Sequence, residues 1–271
     1  MNKYEKFFFD LNGYLIIENV LNQNEVSRCL EAIEHQRESI KIRSSEESLS
    51  RGAKALEGKQ GRGDISGMLT WPSPWAEPFK ELLVNPAIVP YLDELLGEGF
   101  RLDHLYGISM NKGSEGFVFH GGGPNTDLIH SYRFSNGSIM CGLIVVTWVL
   151  TDQGPGDGGF ACIPGTHKSN YTPPEDIKRL ETDMGLVRQI EAKAGSVIIF
   201  TEALCHGTLP WKGVHERISM LYKYSPGTLS YSQKYIPDGV EEQIQEFTKD
   251  QRAVLHPPYK PDRPRLSDIA N

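Results

Sequence analysis

The sequence lacks the features that mark membrane-spanning, disulfide-stabilised or zinc-stabilised proteins. Within its 271 residues, no uninterrupted apolar run approaches the roughly 20 residues that a membrane-spanning helix needs. Its four cysteines share no Cys-x-x-Cys spacing, so the sequence predicts neither a disulfide framework nor a zinc site. The apolar run in MNKYEKFFFDLNGYL is too short for a signal peptide and is interrupted by Asp10 and Asn12. We therefore expect a cytoplasmic protein in reducing surroundings.

An excess of positive charge is also absent. The chain has 28 Lys and Arg residues against 35 Asp and Glu residues, a formal net charge of −7. A chain of this charge is a poor general binder of nucleic acid polymers or anionic membranes, although a local basic patch could still bind a phosphate. Hydrophobic residues make up 39% of the sequence, which is ordinary for a globular protein with a sizeable core.

The hydrophobic periodicity changes near residue 100. Residues 1–99 are predicted to form a mostly helical flank with a long mobile loop over 41–66, whereas 100–226 contains short alternating segments rich in Val, Ile, Tyr and Phe. No helical pattern separates successive strands in 100–226, so a βαβ fold is disfavoured and a mainly β sandwich or barrel is favoured. A helix and an extended tail are predicted over 227–271, completing one catalytic domain over 1–271. The individual elements expected from local patterns are a strand over Tyr14–Ile17 and helices over 24–38, 85–96 and 239–254.

Two histidines and one arginine stand at the ends of predicted strands. His120 ends the strand GFVFH and is followed by three glycines, which let the backbone approach another group closely. His206 follows the segment SVIIFTEAL, and Arg217 opens the next strand, with Ser219 on the same strand face. Imidazole binds iron, and guanidinium binds a carboxylate through two hydrogen bonds. We expect these side chains to meet at the mouth of one barrel.

The sequence resembles the phytanoyl-CoA dioxygenase family of iron(II)/2-oxoglutarate oxygenases along most of its length. The segments that carry the resemblance are FFFDLNGYLIIENVLNQNEV, TDQGPGDGGFACIPGTHKSN, GSVIIFTEALCHG and HERISMLYKYSPG. The resemblance implies a double-stranded β-helix, a cupin-like jelly-roll barrel flanked by helices. It also implies that O2 is consumed, that His120 and His206 bind Fe(II), and that Arg217 and Ser219 bind the distal carboxylate of 2-oxoglutarate.

One departure from the family pattern is informative. The family normally has His-x-Asp at the first iron ligand, but Gly122 stands where the carboxylate is expected. Among 2-oxoglutarate enzymes, a His-x-Gly variant is typical of non-haem iron halogenases, in which chloride takes the open position. The resemblance thus implies that Gly122 marks a halide position and that the enzyme chlorinates an unactivated C–H bond of a small metabolite.

The amino-acid sequence leaves three alternatives to chlorination open. A carboxylate from Asp127 or Asp157 could complete the iron site, although Asp157 in PGDGGF is also a typical turn residue. Water in the open position would give a hydroxylase of the same family. A barrel that has lost its metal would be a non-catalytic binding protein. His167, in PGTHK, is expected to anchor a loop, and Cys205 to be a small core residue.

Substrate contacts are predicted on the strand over 102–110 and after the first ligand. The candidates are polar or aromatic: His104, Tyr106, Tyr132 and Arg133. The segment 41–62 has a local charge of +3, from Lys41, Arg43, Arg51, Lys54, Lys59 and Arg62 against Glu46, Glu47 and Glu57. This segment is either a solvated loop or a lid over a phosphorylated or carboxylated compound such as a nucleotide.

Overall fold

The computed structural model describes residues 1–124, 127–182, 184–259 and 266. The helices are α1 (Lys3–Asn12), α2 (Gln23–His35), α3 (Glu77–Leu82), α4 (Val89–Leu96), α5 (Glu175–Lys178) and α6 (Lys249–Leu255). The strands are β1 (Tyr14–Ile17), β2 (Lys41–Ile42), β3 (Gly63–Ile65), β4 (Arg101–Met110), β5 (Phe117–His120), β6 (Tyr132–Ser135), β7 (Ser138–Cys141), β8 (Ile144–Val149), β9 (Gly159–Ile163), β10 (Arg188–Gln189), β11 (Val197–Thr201), β12 (Cys205–Leu209) and β13 (Arg217–Ser225). Of these helices, none is both long enough and apolar enough to cross a bilayer.

Two antiparallel sheets make the barrel. The larger sheet has the strand order β1-β11-β8-β13-β4-β3-β2, and the smaller has the order β10-β9-β12-β5. A separate ribbon, β6-β7, stands beside them. From β4 onward the chain crosses repeatedly between the two sheets, for example from β8 to β9 and from β11 through β12 to β13, and helices flank them, as in a jelly-roll barrel. The fold class predicted from the sequence is confirmed.

One face of the larger sheet packs against the helices, and the other face lines the barrel interior. Trp148 and Tyr222 belong to the core between this sheet and the helices, and the Tyr222 hydroxyl donates to the Phe79 carbonyl on α3. Val145 and Leu221 belong to a second core inside the barrel. Because side chains alternate along a strand, the residues of β13 that share the phase of Leu221 also face the interior. The polar side chains of β13 at these alternate positions, including Arg217 and Ser219, the predicted carboxylate-binding pair, therefore point into the barrel.

The predicted elements agree with the structure most closely where local capping is strong. Gly13, in the left-handed conformation with φ 80°, ends α1, and β1 has the predicted bounds. In α2, Asn22 and Glu25 form a capping box. The last predicted helix, 239–254, is wrong over its first half, because the Thr248 side chain accepts from the Gln251 amide and starts α6 only at residue 249.

The predicted helix over 85–96 begins four residues later than expected, and the predicted long loop over 41–66 contains regular structure. Strands β2 and β3 pair with each other, and β3 extends the larger sheet. The Glu115 carboxylate accepts from the Leu49 amide at 2.9 Å and from the Ser48 hydroxyl at 2.6 Å. These contacts bind the segment to the barrel. Part of the predicted tail, residues 260–265 and 267–271, lies outside the described residues.

His167 anchors the PGTHK turn, as expected from the sequence. Its Nε2 donates to the Asp10 carbonyl at the end of α1, at 3.0 Å, and its ring lies edge-on to Tyr132. Lys168 pairs with the Asp10 carboxylate at 2.6 Å. Burial lowers the pKa of His167 to about 4. The imidazole is therefore neutral in the folded protein at physiological pH.

We expect His167→Gln to flatten the acid sensitivity of folding. The unfolded chain protonates His167 near its ordinary pKa of about 6.5, but the folded chain does so only near pH 4. The free energy of unfolding therefore falls as the pH drops from about 6.5 to 4, by about 3 kcal/mol from this group. Urea unfolding across this range should show a shallower slope for the variant. Exposed His35→Gln is the control, and parallel curves for wild type and His167→Gln would contradict the assignment.

Candidate active site

A cavity of about 580 Å³ opens inside the barrel, between the two sheets. Residues of β4, β5, β8, β12 and β13 line it, together with Arg51 and Arg62 from the segment before β4. This volume is within the usual range for enzyme sites and has room for more than one small molecule.

His120 and His206 lie opposite each other in the smaller sheet. They are direct partners in the antiparallel pair of β5 and β12, and their ring centroids are 4.2 Å apart. Because the two residues are opposed across a hydrogen-bonded ladder, backbone pairing sets their separation. The structure thus brings together the two histidines that the sequence predicts as iron ligands.

The backbone also fixes which ring nitrogen each histidine offers. His120 Nδ1 lies 3.2 Å from the Val118 carbonyl, and His206 Nδ1 lies 2.7 Å from the Leu204 carbonyl. A carbonyl only accepts, so each Nδ1 carries the hydrogen and each Nε2 keeps a lone pair. Burial lowers the pKa of His120 to about 3 and also lowers the pKa of His206. Both rings are neutral, which is the form that binds a metal.

Glu202 supplies a carboxylate beside the two rings. It directly follows β11, is 6% exposed, and places Oε2 3.8 Å from His206 Nε2. One potential ligand atom from each of His120, Glu202 and His206 lies within 4.8 Å of the others. Two histidines and one carboxylate are the donor set of non-haem iron(II) oxygenases.

Lys223 holds the other oxygen of this carboxylate. Its Nζ lies 2.6 Å from Glu202 Oε1; the Glu202 side chain is buried and that of Lys223 is largely buried. Burial alone would raise the pKa of Glu202, but the Lys223 ammonium holds it well below its usual range. Burial likewise opposes the charge of Lys223, but Glu202 raises its pKa above the usual value. The pair is ionic, and Oε2 is directed towards the histidines.

Sequence reasoning missed Glu202 and considered two other carboxylates. Asp127 is exposed and pairs with His130 at 2.9 Å. Asp157 accepts from the Gly154 amide and forms a turn. Neither lines the cavity. The available signal was a single acidic residue four positions before the second histidine, in TEALCH.

Gly122 does not face the two imidazoles. Its φ is 77°, and a Cβ built there would lie 2.8 Å from Cys205 Cβ and 3.0 Å from Pro173 Cδ. Its amide donates to the Ala203 carbonyl at 2.9 Å. The left-handed backbone therefore turns the side-chain direction of this residue away from the cavity, and the geometry does not support the predicted halide position. Cys205 is fully buried in a small apolar core, as expected.

Arg217 is a buried cation whose hydrogen-bond partners are neutral groups. It is 2% exposed, its Nε donates to Gln153 Oε1 at 3.0 Å, and its Nη1 lies 3.4 Å from Met110 Sδ. No ion pair involves it in the part of the chain that the structure describes. Burial, together with the nearby Arg62 charge, lowers the pKa of Arg217 to about 10, so the group stays charged at neutral pH.

Two further polar atoms beside this arginine are also unsatisfied. Ser219 Oγ and Gln153 Nε2 are buried and have no hydrogen-bond partner among the described residues. An uncompensated buried charge and unmatched donors are costly, so such groups normally serve a ligand. The donor set of Arg217, Ser219 and Gln153 fits a carboxylate such as the distal one of 2-oxoglutarate.

The structure separates the four predicted substrate residues. His104 and Tyr106, on β4, line the cavity. Tyr132 and Arg133 lie on the β6-β7 ribbon, and the Tyr132 hydroxyl donates to Asp10 at 2.6 Å. Arg133 is exposed beside a surface groove at α4. The structure does not bring these two residues to the cavity, because their strand belongs to a ribbon separate from the two barrel sheets, and their contact with a substrate stays a prediction.

Comparison with known proteins gives a family and a fold. The model of the phytanoyl-CoA dioxygenase (PhyH) family matches residues 9–219. No curated protein matches the chain. HygX from Streptomyces hygroscopicus, solved with nickel and 2-oxoglutarate, superposes with a TM-score of 0.68 at 22% identity, over 85% of this chain and 89% of HygX. HygX has also been solved with nickel, 2-oxoglutarate and hygromycin B, and that structure superposes with a TM-score of 0.67 at 20% identity, over 85% and 89% of the two chains.

A second solved structure extends the likeness over nearly the whole chain. SnoN, a non-haem α-ketoglutarate-dependent epimerase from nogalamycin biosynthesis, superposes with a TM-score of 0.57 at 17% identity, over 97% of this chain and 94% of SnoN. At these identities, the likeness to HygX and SnoN shows the barrel fold.

Proposed function

Because the chain belongs to the phytanoyl-CoA dioxygenase family and is an Fe(II)/2-oxoglutarate-dependent oxidoreductase, we propose that it hydroxylates a small molecule at an iron bound by His120, Glu202 and His206. One observation carries this proposal: two neutral imidazoles and an ionised carboxylate converge in a cavity that also holds the unpaired cation Arg217. The three ligands have the composition of a two-histidine, one-carboxylate iron site.

In the proposed reaction, 2-oxoglutarate, O2 and a C–H bond give succinate, CO2 and an alcohol. Iron, when bound, supplies the activation of O2 that no side chain can provide. Arg217 binds the distal carboxylate of 2-oxoglutarate through its planar fork, and Ser219 Oγ adds a hydrogen bond. These contacts orient the keto acid with its other end towards the histidines.

Lys223 positions the carboxylate ligand. It occupies Glu202 Oε1 at 2.6 Å and leaves Oε2 for the metal. A charged partner on the second oxygen fixes the orientation of a metal-binding carboxylate.

Hydroxylation is preferred to chlorination because Glu202 offers the acidic ligand that Gly122 lacks. Chlorination requires a coordination position that chloride fills in place of a carboxylate, and the only support for it is the His-x-Gly motif. With Glu202 as the third ligand, the protein itself supplies the anionic ligand that chloride would otherwise provide.

The proposal is tested by anaerobic reconstitution with Fe(II) and 2-oxoglutarate, followed by visible absorption. We expect a charge-transfer band that forms with 2-oxoglutarate and does not move when chloride or bromide is added. On exposure to 18O2, succinate should form with one labelled oxygen. A band that shifts with halide would favour the halogenase instead. Absence of both the band and succinate would favour a non-catalytic barrel.

A further inference from the structure

The cavity is cationic in a chain that is acidic overall. Its described lining includes Arg51, Arg62, Arg217 and Lys223, against the single carboxylate of Glu202. Lys223 is neutralised by Glu202, and Arg217 is assigned to 2-oxoglutarate. The guanidinium groups of Arg51 and Arg62, at the cavity wall, therefore have no role in the proposed binding of iron or 2-oxoglutarate.

Arg51 is held at the cavity by an unusual backbone. Its φ is 47°, in the left-handed region that residues other than glycine rarely adopt, and its carbonyl accepts from Arg179 Nη1 at 3.3 Å. Its guanidinium carbon lies 5.9 Å from the centre of the Phe117 ring. Such strained residues concentrate at ligand sites, where surrounding contacts maintain them.

Arg62 is buried and only partly compensated. It is 7% exposed, and its Nε pairs with Asp64 at 3.0 Å. The same carboxylate also pairs with Arg43 at 2.7 Å, so one acidic group serves two guanidinium groups. The guanidinium carbon of Arg62 lies 5.7 Å from the Tyr106 ring and 6.0 Å from the Phe117 ring.

A single aromatic ring, that of Phe117, separates the two arginines from His120, one of the proposed iron ligands. Both guanidinium groups lie over Phe117, whose ring centroid is 4.7 Å from that of His120. A molecule whose anionic group lies between these arginines can therefore place a carbon close to the metal site. Phe117 and Tyr106 offer flat apolar surfaces to the rest of such a molecule.

We propose that Arg51 and Arg62 form an anion site that binds the carboxylate or phosphate of the primary substrate. The identification of this ligand as the substrate rests on the proposed oxygenase function, whereas the anion site itself does not. The site explains why two of the basic residues of segment 41–62 turn towards the cavity. Each arginine can donate two parallel hydrogen bonds to such a group.

The test uses three probes that each contain a phenyl ring and differ in the group attached to it: phenyl phosphate, benzoate and phenol. They are titrated calorimetrically into protein loaded with Ni(II) and 2-oxoglutarate, so that Arg217 is occupied. We expect saturable binding of at least one anion and no measurable binding of phenol. The preferred anion identifies the source of the charge as phosphate or carboxylate.

Variants then locate the anion. Arg51→Gln and Arg62→Gln should each weaken binding of the preferred probe by about tenfold or more, as expected for loss of a charge-assisted pair. Lys54→Gln removes one exposed charge from the same segment and should change binding by less than about twofold. Because Arg62 is buried, thermal melting checks its folding, and exposed Arg51 keeps the test decisive if that variant is unstable.

The outcomes separate this proposal from the oxygenase proposal. Equal binding of phenol and the anions, no binding of either anion, or equal effects of Arg51→Gln and Lys54→Gln would overturn the anion site. The same titrations on metal-free protein should keep the dependence on Arg51 and Arg62. If they do while 2-oxoglutarate fails to bind the Ni(II) form, the anion site stands and the oxygenase proposal fails.

Discussion

Arg217→Gln is expected to lower the affinity for 2-oxoglutarate by at least about thirtyfold, because truncating one partner of a buried charge pair costs about 2–5 kcal/mol. The side chain is 2% exposed and has no other acidic partner among the described residues. Glutamine removes the charge and the fork that binds both oxygens of a carboxylate. Titration of 2-oxoglutarate into Ni(II)-loaded protein measures the loss.

Two further variants show whether the loss comes from this contact. Arg217→Lys keeps the charge but not the fork, so we expect an intermediate affinity. Arg133→Gln removes an exposed guanidinium that lies outside the barrel and should leave the affinity unchanged. The affinity for Ni(II) alone should stay the same in all three variants. Normal 2-oxoglutarate binding by a folded Arg217→Gln protein would show that the carboxylate binds elsewhere.

Glu202→Gln is expected to impair metal binding and folding together. Even residues that only orient a metal ligand change affinity by about 10- to 100-fold, so loss of the carboxylate ligand should cost at least about a hundredfold. The variant also leaves Lys223 buried without its counter-ion, which destabilises a fold by about 3–5 kcal/mol. Chelator competition for Fe(II) and urea unfolding of metal-free protein measure the two effects separately.

A second substitution separates the ligand role from the structural role. In Glu202→Gln with Lys223→Met, no unpaired charge remains, so we expect the free energy of unfolding to recover by most of the loss. Metal affinity should remain low, because the ligand oxygen is still missing. Recovery of both quantities would assign Glu202 a purely structural role as the partner of Lys223.

The sequence predicted the parts of the site that depend on regular strands. His120 was predicted at the end of a strand and lies there, whereas His206 was predicted to follow SVIIFTEAL and lies near the start of β12, a strand that was not predicted. Glu202 was missed because SVIIFTEAL reads as one continuous strand. In the structure the strand ends at Thr201, and the Leu204 amide donates to the Thr201 carbonyl across a turn. Hydrophobic periodicity does not reveal where such a turn begins.

Gly122 and the segment 41–66 show two other limits of sequence reasoning. Motif spacing placed Gly122 at the metal. The direction in which a side chain at this position would point depends on the backbone φ, and the positive φ directs a Cβ towards Cys205 and Pro173. The segment 41–66 has few large apolar residues, so a loop was predicted. Its order comes from long-range contacts such as Glu115 with Ser48 and Leu49, which no local pattern encodes.

The direct pairing of His120 with His206 has a consequence for how such sites diversify. Since β5 and β12 run antiparallel, the turn that leaves β5 and the turn that enters β12 emerge at the same rim of the barrel. Gly122 belongs to the first turn and Glu202 to the second. Substitutions in either connection can therefore change the groups at this rim, while the ladder keeps the spacing of the two imidazoles.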